Sequence, residues 1–290
     1  MPSLKEYNAK LDSLRNTRKM TKTMKMVSAS KLYKTVEAQK NASAFEERLH
    51  AMIQRLCSSM DAADHPLLQP RTAPRNALIL LVTSDKGLCG GFNNNLIKHV
   101  AHWIADPTRK HLEMKMACCG RRGYLFFRRR LEVVRYFEEA THRPGYHDAE
   151  MVGADIRSRF LSGEVDEVHI AFNLFQNAIT QRPVVMKLLP FEELEFDLEL
   201  AGIYHNYVME PTQKELLNML LPMAVDYEIF YSLLENAAGE NGARMTAMDS
   251  ATTNAENMIT LNTLLRNRAR QAAITTELTE IISGAEALHG

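Results

Sequence analysis

Apolar residues step along the first part of the chain by threes and fours. Leu4, Tyr7, Leu11 and Leu14 begin the stripe, Met20, Met24 and Val27 continue it, and Phe45, Leu49, Met52 and Leu56 extend it. Spacing of this kind predicts one face of an α-helix. Neither Gly nor Pro occurs between Pro2 and Pro66, so the helix has no strong breaker. Pro2 and Ser3 suit its first turn and cap. The far end mirrors this pattern. No Pro follows Met223, and Tyr227, Phe230, Leu234 and Ala237 begin a second stripe. Met258, Leu261, Leu265, Ala269 and Ala272 resume it, followed by Ile274, Leu278 and Ile281. Gly239 and Gly242 interrupt it, each costing about 1 kcal/mol against Ala. Pro222 is expected to kink the helix or sit in its first turn. Stripes this narrow predict two long helices that pair antiparallel, each covering the other's seam.

The middle of the chain differs. Ala77–Val82 is an unbroken apolar run between Pro74 and Ser84-Asp85, as expected of a buried strand. Helix is predicted over Asn93–Ile104, Tyr124–Arg130 and residues 148–161. Strand is predicted over Met114–Cys118, Leu131–Tyr136, Glu167–Phe172 and Pro183–Leu189. This alternation predicts a Rossmann-like α/β domain with a mostly parallel sheet. The expected division is a coiled-coil helix over 1–65, the α/β domain over 71–205 and a second coiled-coil helix over 211–290.

Composition narrows the class. Of 290 residues, 46% are apolar and 24% charged, the ordinary globular range. No apolar run approaches the roughly 20 residues that span a bilayer. The opening residues are charged and lack an apolar h-region, so neither a secretory signal nor a transit peptide is expected. The four cysteines form no CxxC pair, against a zinc site or disulfide framework and in favour of a reducing compartment. Net charge is zero, but residues 1–40 hold ten basic side chains against three acids. Such an arm suggests an acidic partner surface, nucleic acid or anionic lipid, or else a solvated helix face.

Candidate chemistry is sparse. Ser84-Asp-Lys-Gly-Leu-Cys-Gly-Gly-Phe-Asn93 lies between a strand and a helix, where α/β sheets bind phosphates. It matches neither the P-loop nor the dinucleotide pattern, so a tight turn with positive φ at Gly87, Gly90 or Gly91 is expected instead. Cys89 could act as a nucleophile only with a paired base. His99 and His102 at i, i+3 have no supporting carboxylate, and Cys118-Cys119 suits strand packing. No catalytic, cofactor-binding or metal-ligating set emerges.

Longer motifs resemble the gamma subunit of F-type ATP synthases, of the bacterial type. They are Met24-Lys-Met-Val-Ser-Ala-Ser-Lys31-Leu, the Ser84–Asn93 turn, Arg244-Met-Thr-Ala-Met with Ala251-Thr-Thr-Asn-Ala, and the run from Arg268 to Ala285 that contains Thr275, Glu277, Glu280 and Gly284. The resemblance implies a central rotor shaft inside a ring of alpha and beta subunits, with its α/β domain on the membrane c-ring beside epsilon. It implies that Arg270, Gln271 and Thr275, with Glu277 in the same signature, form a polar patch meeting a beta subunit. Met24 and Lys25 would face an acidic segment of beta, Arg244 the ring interior, and Tyr207, Met209 and Glu210 the foot on the c-ring. It further implies no catalysis or cofactor in this chain, no nucleic acid, membrane association through the complex only, and a place on the cytoplasmic face of the bacterial inner membrane. Met209, Gly239, Gly242 and Lys25 depart from the family pattern. No long cysteine-bearing insertion supports a chloroplast-type thiol switch. Readings from other classes are a basic coiled-coil nucleic-acid-binding or scaffold protein, and an α/β enzyme built on the glycine-rich turn.

Overall fold

The computed structural model describes residues 3–57, 65–191, 210 and 212–289. Helix α1 runs without a break from Leu4 to Cys57. Strand β1 (Asn76–Val82) leads to α2 (Phe92–Ile104), β2 (Glu113–Cys119), α3 (Arg121–Phe127) and β3 (Glu132–Phe137). Then come α4 (Tyr146–Ser162), β4 (Glu167–Phe175), β5 (Gln181–Leu189) and α5 (Gln213–His289). Pro222 is the tenth residue of α5, so the helix absorbs it rather than beginning there. A short 3-10 turn at Pro107–Arg109 has no counterpart in the sequence reading. The segments α1 and α5 each contribute to two compact units, residues 29–244 and residues 1–28 with 245–290.

In the unit of residues 29–244, the five strands lie in the order β3-β2-β1-β4-β5. The first three pairings are parallel, while β5 pairs antiparallel with β4 at the sheet edge. Because strand side chains alternate, β1 serves both faces. Ala77, Ile79 and Leu81 pack with Leu96, Ile97 and Val100 of α2 and with Met116 and Cys118. Leu78, Leu80 and Val82 pack with Val152, Ile156 and Phe160 of α4 and with Ala42, Leu49 and Ile53 of α1. Leu221, Val225, Ile229 and Leu233 of α5 complete that second core. Here α5 is buried nearly all round from Leu233 to Gly239, unlike the narrow stripe predicted.

The two glycines explain how α5 fits. A Cβ on Gly239 would lie 2.8 Å from Cε2 of Phe92, and one on Gly242 would lie 3.0 Å from Cα of Ala178. These residues let the helix approach the sheet domain closely. Their role is packing space, not a break in the helix.

In the second unit, α1 and α5 run antiparallel: Lys25 pairs with Asp249, and Thr21 with Thr252. The seam keeps strict alternating steps of three and four. On α1 it comprises Leu4, Tyr7, Leu11, Leu14, Arg18, Thr21, Lys25 and Ser28, of which only Arg18 is exposed. On α5 it comprises Met248, Thr252, Ala255, Ile259, Asn262, Arg266, Ala269 and Ala273, all buried or half-buried. Leu4, Tyr7, Leu11, Leu14 and Ala269 fall on the predicted stripes, but elsewhere the seam runs one position past the large apolar residues. Met20 is 66% exposed and Val27 52%, while Thr21 and Ser28 are buried. Likewise Met258 and Leu261 face outward, and Ile259 and Asn262 occupy the seam.

Candidate functional site

The glycine-rich turn is filled by its own hydrogen bonds. Ser84 N–H donates to Asn93 Oδ1 at 2.9 Å, and Asn93 Nδ2 donates to Ser84 Oγ at 2.7 Å and Cys89 Sγ at 3.2 Å. The Ser84 hydroxyl donates to the Lys86 carbonyl at 2.6 Å. Asp85 accepts from the Arg121 N–H at 2.9 Å and the Thr141 hydroxyl at 3.0 Å. Positive φ falls on Gly90 and on Leu88, while Gly91 caps α2 with φ −81°. Gly87 matters for a different reason: its open face is covered by the Arg122 guanidinium, 2.5 Å from where a Cβ would stand.

Arg244 of α5 reaches the same turn. Its Nε and Nη2 donate to the Gly87 carbonyl at 3.3 and 3.2 Å, and it forms an ion pair with Glu240 one helical turn earlier. Burial pushes the Glu240 carboxyl up, against the opposing pull of the Arg244 guanidinium. The turn is thus latched to α5 by the chain's own arginine.

Cys89 is buried, and desolvation raises its thiol pKa despite Arg244 nearby. Cys118 is pushed up to about 12 by burial, and Cys119 also rises. All three thiols are therefore held protonated, unsuited to nucleophilic work. His99 and His102 are exposed on α2, and the His102 Nδ1 lies 2.7 Å from the Lys98 carbonyl.

The remaining candidates fall on the helix pair. Lys25 Nζ lies 2.5 Å from Asp249 Oδ1 across the seam, and Met24 beside it is half-buried. Asp249 was not legible as its partner, because only the antiparallel register brings the two together. Arg270, Gln271, Thr275 and Glu277 are all exposed. The Thr275 hydroxyl donates to the Gln271 carbonyl at 3.0 Å. At roughly 100° per residue, Arg270, Gln271 and Thr275 span about 140° of arc, a broad face. Ile274, Leu278, Ile281 and Ile282 are exposed among them. Tyr207 and Met209 lie outside the described residues, and Glu210 is exposed. Among the described residues no helix is long and apolar enough to cross a membrane.

Comparison with known proteins agrees with this arrangement. The family model described as ATP synthase matches residues 3–288. An ATP synthase gamma chain from Anaeromyxobacter sp. (strain Fw109-5) is 43% identical over 99% of this chain and 100% of its own length. Another, from Trichlorobacter lovleyi, is 42% identical over the full length of both. Among solved structures, a chain of the Euglena gracilis mitochondrial ATP synthase OSCP/F1/c-ring assembly superposes with TM-score 0.69 at 16% identity, covering 99% of this chain and 94% of that one. A chain of the Tetrahymena thermophila central stalk and c-ring gives TM-score 0.60 at 23% identity, covering 80% of this chain and 99% of that one. The structural likeness carries the fold, and the full-length sequence identity carries the kinship: this chain belongs to the ATP synthase gamma chain family.

Proposed function

We propose that the chain is the non-catalytic central shaft of a rotary ATP synthase, on the cytoplasmic face of a bacterial inner membrane. The observation that carries this reading is the inverted character of the helix pair. Beyond Leu14 the α1 side of the seam is Arg18, Thr21, Lys25 and Ser28, and Thr252, Ala255, Asn262, Ala269 and Ala273 take much of the α5 side, while Met20, Val27, Met258, Leu261 and Ile274 face outward. A helix pair that met only water would place them the other way round. An outward apolar surface calls for a sleeve, and a ring of alpha and beta subunits supplies one.

In this reading Met24, Lys25, Arg270, Gln271, Thr275 and Glu277 meet the ring, and Arg244 holds α5 to the glycine-rich turn. Tyr207, Met209 and Glu210 belong to the foot that meets epsilon and the c-ring. An asymmetric shaft touches three beta subunits differently, so its angle biases their nucleotide affinities as a ligand biases a conformational equilibrium. Contacts that form and break must be weak, and exposed ion pairs of about 0–1 kcal/mol suit that need. The nucleotide chemistry belongs to the ring. In this chain the glycine-rich turn is already occupied by Arg244 and Asn93. The nucleic-acid reading gains nothing from the relatives.

The test is copurification followed by turnover. A tagged chain should bring down alpha, beta, epsilon and c subunits with ATPase activity. A disulfide engineered between Thr276→Cys and a facing beta subunit should stop turnover until it is reduced. Turnover unaffected by a complete cross-link would overturn the shaft reading.

A further inference from the structure

Glu46 and His50 stand one turn apart on α1, and Glu228 faces them from α5 within the α/β unit. One ligand atom from each lies within 4.8 Å of the other two. The His50 Nε2 is 3.8 Å from Glu228 Oε2, with side-chain exposures of 29% and 14%. The surroundings are apolar and aromatic. Phe45 packs on Tyr227 at 4.6 Å between ring centroids, and Phe191 stands 6.2 Å from the His50 ring. The charges acting most strongly on Glu46 are Glu228, Glu235 and Glu47, all acidic. Glu235 is engaged elsewhere, by the Phe175 N–H at 2.5 Å and by Gln39. Glu46 and Glu228 are left to face each other beside an imidazole.

Two half-buried carboxylates cannot both stay charged at close range without a proton or a cation between them. A shared proton is one answer to that conflict. A cation is the other answer, and the donor set decides its class. One imidazole nitrogen and two carboxylates suit zinc-like transition metals, whereas magnesium and calcium prefer oxygen alone. Metal bonds of about 2.1 Å set ligand atoms roughly 3.4 Å apart in a tetrahedron, so closing from 4.8 Å needs only small side-chain rotations. Ligands from facing helices, with Glu and His one turn apart, are a recurrent way of building such sites.

We propose that Glu46, His50 and Glu228 form a site for one divalent transition-metal ion of the zinc class, which ties α1 to α5 beside the α/β sheet. Water completes the coordination. Neither Glu46 nor His50 stands out in the sequence, because the third ligand comes from the other end of the chain.

The test uses the untagged full-length chain, with Zn2+ measured by calorimetry and Co2+ as a spectroscopic probe. One equivalent should bind with micromolar affinity, and Co2+ should give the intense visible absorption of a four-coordinate site. His50→Gln and Glu228→Gln should each weaken binding at least tenfold with helical content unchanged. If one variant fails to fold, the other decides. His99→Gln with His102→Gln should leave affinity unaltered. Absence of saturable Zn2+ binding would overturn the proposal. So would affinity indifferent to both His50→Gln and Glu228→Gln, or Mg2+ competing on equal terms.

Discussion

Lys25 Nζ meets Asp249 Oδ1 at 2.5 Å, at a seam position that an ordinary coiled coil would fill with an aliphatic side chain. Both side chains remain about half in water, at 42% and 56% exposure. Their contribution should be small. A double-mutant cycle on Lys25→Ala and Asp249→Ala should give a coupling of about 0.5 kcal/mol, diminishing in high salt. A coupling above about 2 kcal/mol would mean that the pair is far better shielded.

Arg244 and Glu240 should behave differently. Each side chain is only 12% exposed, and Arg244 also holds the Gly87 carbonyl. Arg244→Ala strands a buried carboxylate and should cost about 3 kcal/mol in urea unfolding. Adding Glu240→Gln should recover part of that loss. Additive losses would show that the pair is not coupled.

Glycine substitutions separate propensity from packing. By helix propensity alone, Ala at 239, 242 or 284 gains about 1 kcal/mol. At Gly284 nothing lies within 4 Å, so the gain should appear as a higher melting temperature. At Gly242 the new methyl meets backbone at Ala178, so Gly242→Ala should instead destabilise by about 1–3 kcal/mol. Gly239→Ala should do less harm, because the Phe92 ring can shift. Equal behaviour at all three positions would refute the packing account.

Asp166 provides a pH test. Burial raises its pKa, but the N–H groups of Arg75 and Asn76 and the Arg71 guanidinium outweigh that and hold it below 3.8. A carboxyl depressed on folding contributes stability above its unfolded pKa and loses it as pH falls through the folded one. The stability gap between wild type and Asp166→Asn should therefore be full at pH 6 and shrink below pH 4. A gap constant down to pH 2.5 would place the effect elsewhere.

Arg270 tests the polar face of α5. It is exposed, so Arg270→Ala should leave the chain's own stability within about 0.5 kcal/mol. In the assembled complex, losing a charge-assisted bond of about 1.5–3 kcal/mol should lower ATPase turnover roughly ten- to hundredfold. Arg270→Lys should restore only part, since an ammonium cannot copy the guanidinium fork. Wild-type turnover by the Ala variant would remove Arg270 from the ring contact.

Much of the fold was legible because strong local signals agreed with tertiary demands. The run Ala77–Val82 could only be a strand buried on both faces, and it is the centre of the sheet. Weaker signals slipped. Helix α3 begins at Arg121, earlier than expected, because a polar start beside Gly120 and Gly123 conceals its first turn. The direction of β5 carries no sequence mark, although Pro183 within it fits the edge place it takes. At Met20, Val27, Met258 and Leu261 the seam lies one residue further on, because size alone does not set burial. Thr21 and Thr252 are buried together by a 2.8 Å hydrogen bond, which no hydrophobic count could register. Of the site, the sequence supplied the residue types on α1 and α5, but not which of them the register would pair.

The inverted helix pair also reverses where mutation should be tolerated. In a free coiled coil the inward residues resist change and the outward ones drift. Here several inward positions are Thr21, Ser28, Thr252, Ala255 and Asn262, small residues whose exchange changes the packed volume little. The outward Met20, Val27, Met258 and Leu261 are each more than half exposed in the chain alone, so what constrains them is whatever surrounds the shaft. Selection in this lineage should therefore be strictest on the side facing away from the molecule.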